Sequence, residues 1–147
     1  MCQIYKNIEM IQKKNNRLNN IVFFDGVCNL CNRSVQFLIR KDSKQKFLFA
    51  SLQSNFAQNF FMERNFKTKS DSVIFFTNNQ FYEKSTAFIM IMSELGGFFK
   101  LFTILYVVPK FLRNKGYDMI ARNRYSWFGK KDSCMLASTD LKNRFLE

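Results

Sequence analysis

The stretch IVFFDGVCNLCNRSVQFLIRKD, residues 21–42, changes its period halfway, and that change decides the fold. Ile21, Val22, Phe23 and Phe24 form a continuous apolar run that stops at Asp25-Gly26, the pattern of a short buried strand ending in a turn. From Cys28 onward, Cys31, Val35, Leu38 and Ile39 recur at helical spacing and leave Arg33, Arg40 and Lys41 for the opposite face. The unit is strand, tight loop, helix, and two cysteines three residues apart sit at the handover.

Working outward, Phe47 to Ala50 read as a second short strand, and residues 53 to 65 as a helix with Phe56, Phe60 and Phe61 on one side. Val73 to Thr77, the Asn78-Asn79 pair and Gln80 to Glu83 read as a hairpin, since Asn tolerates the positive φ of tight hairpin turns. Ser85 suits the N-cap of a helix through Leu95, with Gly96-Gly97 as its stop. The core order is therefore βαβαββα, an α/β fold with extra C-terminal helices. Phe98 to Val108 is apolar but interrupted by Lys100 and closed by Pro109, well short of the roughly 20 residues that span a bilayer. We expect a core helix there, an interfacial amphipathic segment being the sharper alternative. Pro109 then opens another helix through Arg122. Residues 1–20, with Ile4, Ile8 and Ile11 among polar residues, are expected to be a frayed leader, and residues 21–147 a single domain.

In a chain of 147 residues, 47% hydrophobic content supplies a core, and 17% aromatic residues exclude a disordered segment. The sequence contains no His, which removes Cys-His and Ser-His-Asp catalysis and the HExxH metal site. The net charge of +12 is densest in residues 98–147, ten cations against four carboxylates, and fits nucleic acid, anionic lipid or an acidic protein, or a compositional bias of the genome. Four cysteines, Cys2, Cys28, Cys31 and Cys134, are too few and too scattered for a disulfide scaffold. The first twenty residues lack the apolar run of a secretory signal, so a cytoplasmic, reducing setting is expected. There a CxxC pair points to catalysis or metal binding.

Cys28 and Cys31 share one face at a helix start, within reach of disulfide geometry, and the unpaired N–H groups and dipole end there stabilise a thiolate at Cys28. Gly26 permits the sharp turn before them. Cys28 is then the nucleophile on a substrate disulfide, and Cys31, expected to be the more buried, resolves the mixed disulfide. Without His, Asp25 at the strand end is the nearest group to take the proton of Cys31, directly or through water. The plainer reading of Asp25 is a turn residue or a helix cap. Structural zinc would need four ligands where only the isolated Cys134 and Cys2 remain, and haem attachment needs His where Asn32 stands. A pair of buried structural thiols is the remaining alternative. The catalytic reading calls for no cofactor beyond the redox-active Cys28–Cys31 disulfide.

Near the C-terminus, Arg122, Arg124, Lys130 and Lys131 interleave with Tyr125, Trp127 and Phe128. The favoured reading is that the rings complete the core while the cations stay solvated; a protein or lipid partner comes next, and single-stranded nucleic acid is disfavoured. Cys134 is a candidate third redox thiol if the fold returns it to the CxxC.

These residues resemble the DCC family of thiol-disulfide oxidoreductases, whose Asp-x-x-Cys-x-x-Cys motif is met by Asp25, Cys28 and Cys31. The surrounding FFDGVCNLCNRSVQFLIRKD, the FLFASLQS at 47–54, and Tyr117-Asp118 followed by ARNRYSWFGKKDSCML are also similar to that family. The resemblance covers residues 21 to 146 and implies a three-layer thioredoxin-like fold and disulfide exchange with a disulfide-containing protein or small thiol substrate, fed by an electron donor. One superfamily feature is missing: Ser72-Val73 stand where a proline usually precedes the third strand and helps dock substrate. A reducing compartment favours a reductase. The rival from another class is a non-catalytic module that recruits an acidic protein, membrane or RNA through the basic aromatic segment.

Overall fold

The computed structural model describes residues 19–68, 72–130 and 143–146. Strand β1 (Ile21–Phe24) runs parallel to β2 (Leu48–Ser51) on one side and antiparallel to β3 (Ile74–Thr77) on the other. Beyond β3 lies β4 (Gln80–Glu83), and beyond β2 lies the two-residue β5 (Phe145–Leu146), giving the order β4-β3-β1-β2-β5. The hairpin turns at Asn78 and Asn79, whose φ values of 48° and 61° are the left-handed conformation that Asn tolerates.

All four residues of β1 are buried, and their alternation sorts them between the two faces of the sheet. Val22 and Phe24 pack with Val35 and Leu38 of helix α1 (Asn29–Lys41) and with Ala87 and Ile91 of helix α3 (Lys84–Leu95). Ile21 and Phe23 pack on the other face with Ala57 and Phe60 of helix α2 (Asn55–Glu63). Helices therefore cover both faces, and the α/β three-layer arrangement read from the sequence is the one observed. The lower face is mostly rings: Phe60 meets Phe76 edge-on at 4.9 Å between centroids, and Phe66 stacks on Phe81 at 4.0 Å. Each such pair adds about 0.5–1.5 kcal/mol to the burial of its rings.

Three elements differ from the sequence reading. Ser85 is not the cap of α3; Glu83 takes that place with no side-chain bond, and the Ser85 hydroxyl instead donates to Asn114 Oδ1 at 2.5 Å. Gly96 and Gly97 do stop α3, at φ 78° and 59°. The apolar segment that follows is a 3-10 helix (Gly97–Val107) with no buried residue rather than a core helix. After Pro109 comes helix α4 (Lys110–Phe128), six residues longer than the expected end at Arg122. No helix among the described residues is long and apolar enough to cross a membrane. The expected leader around Ile4, Ile8 and Ile11, and both Cys2 and Cys134, lie outside the described residues.

Strand β5 was not legible as a strand, and its attachment explains why. The Arg144 guanidinium donates to Asp42 Oδ2 at 2.5 Å and to the Phe47 carbonyl, with both side chains buried. Asp42, at the C-cap of α1, also accepts the N–H groups of Lys46 and Phe47 at 3.0 Å each. One carboxylate thus ends α1, shapes the turn into β2 and holds β5 against it.

Candidate active site

The motif occupies the handover from β1 to α1, where the chain must leave the sheet and start a helix. Cys28 is the N-cap of α1, with extended backbone (φ −83°, ψ 121°), and its Sγ accepts the Cys31 N–H at 3.5 Å. Both thiols are free, and one helical turn places them together on the same face. Burial first, then the hydrogen bond and charge of Cys28, push the Cys31 thiol up to about 12. The charge of Arg124 works in the opposite direction.

Asp25 is 1% exposed and fully engaged. Its Oδ1 accepts the Val27 N–H at 3.2 Å and the Gln53 amide at 3.0 Å. Its Oδ2 accepts the Arg124 guanidinium at 2.9 Å and the Tyr125 hydroxyl. A buried carboxylate without such partners would be strongly unfavourable, so the four donors account for its presence in the sheet interior. Gln53 serves a second purpose, accepting the Gly26 N–H at 3.2 Å, while the Gly26 carbonyl accepts from the buried Asn32 amide at 3.0 Å. Gly26 turns the chain without a positive φ, and side chains from α1 and the β2–α2 loop hold its N–H and carbonyl.

Helix α4 delivers the cation. Tyr117 accepts the Val73 N–H at 3.0 Å, and Asp118 pairs with Lys84 at 2.8 Å, which docks α4 against the starts of β3 and α3. Burial, then the neighbouring Cys31, raise the Tyr117 hydroxyl above its ordinary value. Two turns further on, Arg124 is 5% exposed and points at Asp25. Burial pulls Arg124 down, but its bond to Tyr125 and the charges of Cys31 and Asp25 more than offset this and leave it raised. Tyr125 is raised too, by burial and by donating to Asp25, and stays a protonated donor.

This overturns part of the sequence reading of the C-terminal segment. Arg124, expected in solvent, is buried in an ion pair, whereas Trp127 and Phe128, expected in the core, are 58% and 39% exposed. The burial of Arg124 is electrostatic in origin, because the buried Asp25 carboxylate needs a cation. Arg122 does lie exposed. A second expectation also inverts: Cys28 is completely covered, while Cys31, expected to be the more buried, keeps partial exposure. The cover is the end of α4. Lys130 pairs with Cys28 in an antiparallel bridge, Gly129 accepts the Asn29 N–H at 3.4 Å, and the Asn29 amide donates to the Phe128 carbonyl at 2.9 Å.

Gln53, Asn32, Asn29 and Gly129 were missed as site residues. The one available signal was the predicted placement of Asp25 at a buried strand end, a carboxylate that had to find donors somewhere. The structure brings Asp25, Gly26, Cys28, Cys31 and Arg124 together and leaves Arg122 and Trp127 on the surface.

Comparisons with known proteins give the family. The model of the DCC1-like thiol-disulfide oxidoreductase family matches residues 22–130, a span that contains every contact just described around Asp25 and the cysteines. The chain is 46% identical over 129 residues to the uncharacterized protein YuxK of Bacillus subtilis, covering 87% of this chain and 94% of that one. It is 38% identical over 119 residues to a chloroplastic DCC family protein of Arabidopsis thaliana, covering 79% of this chain and 69% of that one. No solved structure matches it significantly. With the family model matched across residues 22–130, the chain belongs to the DCC1-like thiol-disulfide oxidoreductase family.

Proposed function

We propose that this protein is a protein-disulfide reductase of a reducing compartment such as the cytoplasm, with Cys28 as nucleophile, Cys31 as resolving thiol and Asp25 as proton acceptor. The observation that carries the reading is the Cys28 N-cap with Cys31 one turn on, beside the buried Asp25–Arg124 pair. The Cys28 thiolate attacks one sulfur of a substrate disulfide, forming the mixed disulfide and releasing the other sulfur as a thiolate that takes a proton from water. Cys31 then attacks Cys28, and the second substrate sulfur leaves. Two electrons have passed to the substrate, and a Cys28–Cys31 disulfide remains for an external dithiol donor to reduce. No added cofactor takes part.

The causes of the raised Cys31 value order these two steps. Two of them are the hydrogen bond and the charge of Cys28, and both vanish once Cys28 is bound to substrate. Cys31 therefore holds its proton while Cys28 is the thiolate and loses it more readily in the mixed disulfide, with the nearby Arg124 charge favouring the anion. Asp25 takes that proton through a water that displaces one of its four donors, while Arg124 keeps the carboxylate oriented. Substrate reaches Cys28 when the backbone of residues 128–130 parts from it. That backbone pairs with Cys28 as an extended substrate chain would, so it marks where substrate docks in a protein that lacks the usual proline before β3.

The test is a redox titration of the purified protein in dithiothreitol buffers, with mass spectrometry locating the disulfide. A reversible two-electron Cys28–Cys31 couple is expected, with Cys31→Ser accumulating mixed disulfide and Cys28→Ser inactive. A pair that stays reduced across the accessible range, or forms no mutual bridge, ends this reading.

A further inference from the structure

Four of the six most exposed large apolar side chains among the described residues belong to the 3-10 helix, and they are in line. Three residues per turn put Phe98, Leu101, Ile104 and Val107 in one straight row, and these are 78%, 60%, 64% and 83% exposed. The adjoining row holds the helix to the protein: Phe99 meets Phe37 edge-on at 5.7 Å and Phe102 meets Phe88 at 5.6 Å. The outer row is therefore presented outward by a docked helix, and Phe111, four residues past its end at the start of α4, is 75% exposed. A contiguous exposed surface of this kind marks an interaction site.

Charge selects the occupant. From Gly97 to Tyr117 the chain carries Lys100, Lys110, Arg113 and Lys115 and no carboxylate. A second copy apposed on this row would bring two such sets of cations together. Residues 1–18, with four cations and one carboxylate, have the same sign and complement it no better. The row also projects from the protein instead of lining a groove, which suits a soft apolar layer bounded by negative charge. We propose that the 3-10 helix and the start of α4 are a peripheral docking surface for an anionic lipid bilayer. The apolar row enters the headgroup boundary, the lysine stems extend along it with their ammonium groups toward lipid phosphate, and nothing crosses the membrane. The contact is independent of the thiol chemistry and uses none of its residues.

The test is flotation of the full chain with phosphatidylcholine vesicles made with and without phosphatidylglycerol. Binding is expected on the anionic vesicles, falling as salt is added. Leu101→Asp with Ile104→Asp should weaken it about a hundredfold, since two apolar side chains no longer bury. Lys100→Gln with Lys115→Gln, which leaves the row intact, should weaken it roughly thirtyfold. Both double variants should keep the Cys28–Cys31 couple of the parent, which reports that they are folded. Failure to float with anionic vesicles, equal binding to neutral ones, or unchanged binding by the Leu101 and Ile104 variant overturns the proposal. So does sedimentation showing a parent dimer that this variant converts to monomer, which would assign the row to a second copy.

Discussion

Helix α1 is flanked by two buried Asp–Arg pairs, and they differ in what surrounds them. At its C-terminal end Asp42 and Arg144 close on the backbone, accepting from Lys46 and Phe47 and donating to the Phe47 carbonyl. At its N-terminal end Asp25 and Arg124 close largely on side chains, the Tyr125 hydroxyl and the Gln53 amide, with the Cys31 thiol within electrostatic reach. The same pair of residue types is a clasp in one place and a setting for chemistry in the other. A buried ion pair acquires a role beyond holding the chain when its neighbours can gain or lose protons.

The strongest way to test the contrast is to break the clasp. Arg144→Met leaves Asp42 buried without its cation and should cost about 3–5 kcal/mol in denaturant unfolding, while the potential of the Cys28–Cys31 couple stays where it was. A loss below about 1 kcal/mol would show that the backbone donors alone suffice for Asp42. Asp25→Asn keeps the shape and removes the charge at the other end. Resolution of the mixed disulfide should slow about a hundredfold, read by quenching the reaction and weighing the trapped species. An unchanged rate would reduce Asp25 to a second clasp.

The alkaline limb of stability sharpens the comparison further. Cys31 binds its proton more tightly in the folded protein, at about 12 against an ordinary 9.0, so the folded state holds more protons between those values. Its contribution is fully present below pH 9 and is lost as pH rises toward 12. Denaturation followed across that window should show a decline that Cys31→Ser lessens and Arg144→Met does not. The smallest effect concerns the cover. A Cβ on Gly129, at φ 80° and ψ 170°, would stand 3.0 Å from the Asn29 amide nitrogen, and that backbone conformation, nearly confined to glycine, adds its own cost of about 1–3 kcal/mol. Gly129→Ala should loosen the Lys130–Cys28 pairing and speed labelling of Cys28 by a thiol reagent about fivefold. Labelling at the parent rate would mean that another motion admits reagents.

What the sequence made legible is what local pattern encodes. The apolar run at 21–24, the helical spacing from Cys28 and the Asn78-Asn79 turn each declare an element within a few residues, and all three are where they were expected. The cysteine pair at the helix start was legible for the same reason. Arg124 was not, because no local pattern says which face of α4 is buried, and only the distant Asp25 marks Arg124 out from the exposed Arg122 on another face. Strand β5 was hidden for a similar reason: two residues carry no period, and their place depends on Arg144 reaching Asp42. The 3-10 helix was misread because an apolar run implies burial, and nothing in the run itself announces that one of its rows is left uncovered.

The separation of the two pairs along the chain has a consequence for synthesis. Asp25 and Arg124 are 99 residues apart, and Asp42 and Arg144 are 102 apart. At about 5–20 residues per second, a ribosome that has made the first partner needs roughly 5 to 20 s to make the second. Through that interval the emerging chain holds both cysteines without the arginine that anchors their neighbour and without the backbone that covers Cys28. The growing polypeptide is thus most open to oxidants before its last third exists, and completion of α4 is the event that shelters it.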